Sequence, residues 1–172
     1  MGPYQRLRPG WTYVAAAGRR VVGYLTGCPD TPAFRRARRL SFTAPLLGRV
    51  LGGRYGWSGD TRRLVCQALG LEASVERHVR RALARDLERH YPAHLHTNVE
   101  ATVRRRSIGR RLLSRYLADL GERGVAGVHV FCGAVARPYY VRHGFRELGG
   151  VEARPGVPVH ALGRRLAGRP AA

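Results

Sequence analysis

The residues best suited to chemistry form one basic run, Arg104-Arg105-Arg106-Ser107-Ile108-Gly109-Arg110-Arg111. It stands directly before an apolar pattern. Ile108, Leu112, Leu113, Tyr116, Leu117 and Leu120 keep helical spacing until Gly121, which predicts an amphipathic helix over 108–120. A helix N-terminus presents unpaired N–H groups and about half a positive charge, a ready site for a pyrophosphate. Gly109 lets a ligand approach the backbone, and the arginines add cations around the same anion. Ser107 is a favoured N-cap type, and its hydroxyl can itself donate to a phosphate. Upstream, residues 93–99 alternate. His94, His96 and Asn98 fall on one face of a strand, and Leu95, Thr97 and Val99 on the other. His94 and His96 supply only two ligands, so no metal site is expected.

Other elements must hold this strand, turn and helix in place. Residues 11–17 and 20–26 read as a β-hairpin around Gly18, broken by Gly27-Cys28-Pro29-Asp30. Residues 31 to about 90 have helical character. Within them Val75, Val79, Leu83 and Leu87 repeat every four residues, Ser74 is a plausible N-cap and Pro92 stops the run. Residues 125–131 form a strand, 136–143 a short helix ended by Gly144, and 145–148 and 157–162 two last strands. The order β-β-(helical insertion)-β-α-β-α-β-β predicts an α/β (α+β) fold with a mixed sheet covered by helices. Residues 1–166 make one domain, and 167–172 read as a disordered tail.

Composition narrows the function classes. The chain has 172 residues, 44% hydrophobic and 24% charged, which fits one globular domain. No apolar run reaches the roughly 18 residues of a membrane span, and the N-terminus lacks a signal-peptide apolar region. The cytoplasm is the default compartment. The formal charge is +20, and all 31 basic side chains are arginine, for there is no lysine. The chain also has one isoleucine, one asparagine and one methionine, the usage that a GC-rich genome writes. The arginines are spread along the chain. Weak, non-specific polyanion binding is therefore expected, and a nucleic-acid partner stays open as an alternative. Cys28, Cys66 and Cys132 stand far apart, without a zinc or redox spacing.

Four segments together resemble the GNAT superfamily of N-acetyltransferases. They are VVGYLTGCPDT (21–31), YPAHLHTNV (91–99), RRRSIGRRLL (104–113) and PYYVRHGF (138–145). The likeness covers residues 11–166, and bacterial proteins similar to the acetyltransferase-like C-terminal domain of O-GlcNAc hydrolase are the nearest look-alikes. The resemblance implies a mostly antiparallel GNAT-like sheet, acetyl-CoA as cosubstrate and a primary amine as acceptor. It implies that backbone near Val99, Glu100 and Ala101 pairs with the pantetheine arm. The turn Arg104, Arg105, Arg106, Ser107, Ile108, Gly109 and Arg110 would hold the pyrophosphate. Tyr140 stands where the family places the tyrosine that protonates the departing thiolate, a task suited to a phenol that stays protonated at neutral pH. A protonated amine also needs a base. His94, His96, Asp30, Glu100 and His129 are candidates; His96 beside the cofactor strand and Asp30 at the end of the neighbouring strand lead, with water-relayed deprotonation as a third route.

Three positions depart from the family pattern. Ser107 replaces the first motif glycine, Gly133-Ala134-Val135-Ala136 replaces a segment that normally carries an asparagine, and about ten residues precede Trp11 where a strand and helices are usual. The shortened N-terminus would leave a sheet edge exposed, which invites a homodimer. An inactive GNAT-fold protein that binds coenzyme A or a partner is the alternative these departures favour.

Overall fold

Gly18 adopts a left-handed backbone (φ 60°) and turns strand β1 (Thr12–Ala17) back into β2 (Arg20–Cys28). Without a Cβ this conformation carries no steric penalty, so the hairpin reverses there. The computed structural model describes residues 3–54, 56, 58–69, 87, 89–103, 107–154 and 156–166. Trp11, expected as the first strand residue, instead closes a 3-10 turn, Pro9–Trp11, whose Pro9 and Gly10 are exposed and whose Trp11 is buried. Pro9 favours that turn because its fixed φ suits helical backbone and its missing N–H would be unpaired anyway.

The residues before this turn form a short helix, α1 (Pro3–Leu7), which packs on α2 (Thr31–Arg38). The Tyr4 and Phe34 rings stack with centroids 4.7 Å apart. A π-helical turn (Arg39–Thr43) leads into α3 (Ala44–Leu51), which stops at Gly52-Gly53, and α4 (Gly59–Leu69) follows. The insertion is thus helical where it is described. The helix expected at 75–90, with its Ser74 cap, falls largely outside the described residues; Leu87, Arg89 and His90 are helical and Leu87 is buried.

The remaining elements are β3 (Ala93–Val99), α5 (Ile108–Glu122), β4 (Gly127–Gly133), α6 (Arg137–Arg142), β5 (Arg146–Arg154) and β6 (Val157–Arg165). The last two strands run further than their apolar residues suggested, because ladder pairing with each other carries them past the core. The tail at 167–172 lies outside the described residues. The six strands are ordered β1-β2-β3-β4-β6-β5, and every neighbouring pair is antiparallel except β3 with β4. No described helix is long and apolar enough to cross a membrane.

Helix α5 is the keel. Its stripe Leu112, Leu113, Tyr116, Leu117 and Leu120 is buried against Leu25, Ala93, Leu95, Val128 and Leu162 of the sheet. Each large apolar side chain so buried contributes about 1.5–3 kcal/mol. The Tyr116 hydroxyl donates to the His94 carbonyl at 2.7 Å, fixing the height of the helix over β3.

Candidate active site

Strands β3 and β4 are parallel neighbours, yet they pair only at Ala93↔Val128 and His94↔His129. Beyond these residues each strand continues, β3 to Val99 and β4 to Gly133, without pairing to the other. At about 3.3 Å per residue the parted stretch of β3 is roughly 15 Å long. A gap in the middle of a sheet leaves backbone groups that a ligand can satisfy. Leu95 and Val99 belong to the core under α5, while His96 and Asn98 are exposed on the opposite face. The alternation read from the sequence therefore puts one histidine on each side of the problem: His94 near the joined end, His96 in the open part.

The N-terminus of α5 stands at the end of β3. Its first intrahelical bond runs from the Arg111 N–H to the Ser107 carbonyl at 2.9 Å, so the Ile108, Gly109 and Arg110 amides precede the ladder. Ser107 sits at the N-cap position but makes no side-chain cap, contrary to the expectation from its residue type. The reason is its backbone. With φ 58° it is left-handed, the one non-glycine residue with positive φ among the described residues. Serine caps from an extended conformation, which this backbone does not supply. The left-handed state costs an L-residue about 1–2 kcal/mol, which is the physical reason for the family's glycine at this turn. Arg104, Arg105 and Arg106 lie outside the described residues.

Helix α6 follows β4 and brings two tyrosines to the gap. Tyr140 is buried among Tyr139, Phe145 and the core, with ring centroids 5.1 and 5.4 Å away. Burial pushes its phenol well above the ordinary range, helped by Tyr139 and Cys132 nearby, so it holds its proton firmly. Tyr139 was not singled out in the sequence. Its hydroxyl is buried without a hydrogen-bond partner and lies beside Gly109, where a Cβ would come within 3.2 Å of it. It is an unsatisfied polar group packed against the first turn of α5. Replacing Tyr139 with Phe is expected to raise unliganded stability by about 1–3 kcal/mol, since the unpaired group is removed, and to weaken acetyl-CoA binding. Paired melts with and without acetyl-CoA read both effects; a variant less stable than the parent would show that the hydroxyl has a partner after all.

The base candidates separate cleanly. His96 is exposed on β3, with its ring 6.3 Å from that of Tyr24. Asp30 is engaged elsewhere: its carboxylate accepts the Ala33 N–H at 2.9 Å as the N-cap of α2. It also lies past Cys28, which is level with His94 at the joined end, so the structure does not bring it to the gap. Glu100 pairs with Arg20 at 3.0 Å, and its amide is held by the Val22 carbonyl at 2.9 Å. His129 is a core residue whose Nδ1 meets the Tyr91 carbonyl at 2.7 Å. His94 uses both ring nitrogens. Thr31 donates its hydroxyl to the Pro92 carbonyl at 2.6 Å and so accepts from His94 Nδ1, at 2.8 Å. His94 Nε2 then accepts from the Tyr4 hydroxyl at 2.7 Å.

A second cluster was invisible in the sequence. Across β4 and β6, Cys132 faces His160, whose Nδ1 is 2.7 Å from a Glu147 carboxylate oxygen. Arg137 donates to the other oxygen from Nε and Nη2, at 2.8 and 2.6 Å. These contacts, His160 first, hold the Glu147 carboxyl below its usual range. Burial pushes the Cys132 thiol up, as it does Cys28, so neither is a ready thiolate.

Solved structures similar to this chain identify the family. The crystal structure of SsHAT is 33% identical over 96% of this chain and 77% of its own, with a TM-score of 0.68. The chain belongs to the GNAT superfamily of N-acetyltransferases. More distant GNAT structures share the fold. Ard1 from Thermoplasma volcanium is 12% identical over 95% of this chain and 76% of its own, with a TM-score of 0.54. The ribosomal-protein-alanine N-acetyltransferase from Brucella melitensis is 17% identical over 94% and 73%, with a TM-score of 0.51. No family model matches the sequence. In this GNAT chain the parted strands are β3 and β4, and α5 begins beside the end of β3.

Proposed function

We propose that this GNAT protein transfers an acetyl group from acetyl-CoA to a primary amine, on a small molecule or a protein, by direct attack. The observation that carries the reading is the parted β3–β4 pair, with the α5 amides and Tyr140 on one face and His96 on the other. The residues present fit the cosubstrate: three leading amides and an orphan Tyr139 hydroxyl converge where its pyrophosphate would lie. Arg110 at that turn is exposed and adds charge. Val22 holds the Glu100 amide, which withdraws that group from the pantetheine arm. Bound acetyl-CoA supplies an activated acyl thioester. His96, facing the acceptor side, takes the proton from the amine. Tyr140 holds the proton that a departing thiolate needs. Neither buried cysteine is a ready nucleophile, which favours direct attack over a covalent enzyme intermediate.

The strain at Ser107 supports a second reading, a GNAT fold that binds coenzyme A without turnover. A thermal-shift titration decides whether the turn binds at all. Acetyl-CoA at 100 times its dissociation constant should stabilise the protein by about 2.7 kcal/mol. No shift at millimolar ligand would sink both readings. Ser107→Gly should stabilise the unliganded protein by about 1 kcal/mol and tighten acetyl-CoA binding, because glycine accepts the left-handed backbone without strain. Equal melting temperatures would remove strain as the role of this position.

A further inference from the structure

At the joined end of the sheet, four arginines converge on one cavity. Arg142 and His143 come from the end of α6, Arg146 from the start of β5, and Arg164 and Arg165 from the end of β6. They line a hollow of about 630 Å³. Its position follows from register. Gly163 faces His129 and Arg164 faces Val128, the two β4 residues at which β3 is still paired. The start of α5 stands beyond the other end of β3, so this hollow and the phosphate-binding turn occupy opposite ends of the sheet.

The cavity is built rather than incidental. Gly144 takes a left-handed backbone (φ 79°) that swings the chain out of α6, and a Cβ there would lie 3.7 Å from the Arg164 guanidinium. Arg164 donates from Nη1 to the His143 carbonyl at 2.6 Å, which pins one cation against the wall. Among the described residues, Arg142, Arg146 and Arg165 form no ion pair with a carboxylate. Like charges gathered in a hollow without acids repel one another, and a bound anion offsets that repulsion. Guanidinium forks match phosphate oxygens in pairs. The charges surround one point; a nucleic-acid strand needs them laid along a track. We propose that this cavity is a second anion site, separate from the cofactor turn, that takes a compact oligophosphate group.

Calorimetric titration of inorganic pyrophosphate at about 150 mM salt, with and without saturating acetyl-CoA, tests this. The expected result is one site that persists with acetyl-CoA bound; a further site seen without acetyl-CoA and lost on its addition belongs to the α5 turn. Arg146→Ala combined with Arg165→Ala should weaken pyrophosphate roughly tenfold and leave acetyl-CoA affinity unchanged. Arg164 is kept because it also closes α6; if the double variant does not fold, Arg142→Ala carries the same comparison. Four results overturn the proposal. They are loss of all pyrophosphate binding when acetyl-CoA saturates the protein, unchanged affinity of the acetyl-CoA-independent site in the variants, many equal weak sites typical of adsorption, or arginine-dependent binding of single-stranded RNA without binding of pyrophosphate. Should acetyl-CoA itself fail to bind, the pyrophosphate isotherm still reads the cavity.

Discussion

Replacing Tyr140 with Phe is expected to lower kcat for amine acetylation by about 10²- to 10³-fold and to leave acetyl-CoA affinity within about twofold. The change removes one oxygen from a ring that is otherwise held by packing. Tyr140 is 4% exposed, wedged between Tyr139 and Phe145, and Phe fills the same space. Among the described residues no protein group is hydrogen-bonded to its hydroxyl, so the fold loses nothing when it goes. On the proposed mechanism, what is lost is the proton that meets the departing thiolate. Burial raises the phenol's pKa, which keeps that proton in place at neutral pH and makes the phenol a weaker acid than in water. The measurement is thiol release across a panel of primary amines, beside a thermal melt of each protein. A rate within threefold of the parent would exclude Tyr140 from proton transfer. The split between kcat and affinity separates a chemical role from a structural one.

Gly27→Val is expected to destabilise the protein by about 3–5 kcal/mol, enough to unfold much of a marginal domain. Gly27 lies on β2 directly over the Tyr116 ring, and a Cβ would come within 2.6 Å of the Tyr116 hydroxyl and closer still to ring carbons. Tyr116 cannot retreat. It is fully buried, its edge meets Trp11 and Tyr13 with centroids 5.7 and 5.9 Å away, and its hydroxyl is bonded to the His94 carbonyl. The added side chain must therefore break that bond or lift α5 off the sheet, and lifting α5 moves its N-terminus with it. Urea unfolding should show a lower midpoint with an unchanged slope. Adding Tyr116→Leu to Gly27→Val should recover part of the loss, since the collision disappears. A Gly27→Val protein as stable as the parent would mean that β2 and α5 are not packed as described.

Much of this was local, and local features were legible. The stripe from Ile108 to Leu120 announced α5 because helical spacing is a property of neighbouring residues. The alternation from Ala93 to Val99 announced β3 for the same reason. The GNAT segments could be recognised in order because each is a contiguous run. Asp30 could also have been read as a helix cap, for Asp-Thr-Pro before an apolar residue is a helix-start signal; its nearness to the end of a strand drew attention to its acidity instead.

The order of elements, the faces of α5 and β3, and the residue types available at the turn follow from the amino-acid order alone. Where those types meet follows from the fold. The parting of β3 from β4 depends on pairing between residues more than thirty apart. The meeting of Cys132, His160 and Glu147 depends on register across three strands, which a shift of one residue would undo. Ser107 could be seen as a serine in place of a glycine, but its left-handed backbone and its failure to cap appear only in the folded chain. Periodicity reports which side of an element is apolar. It carries no term for the distance between elements, and chemistry at this site is set by that distance.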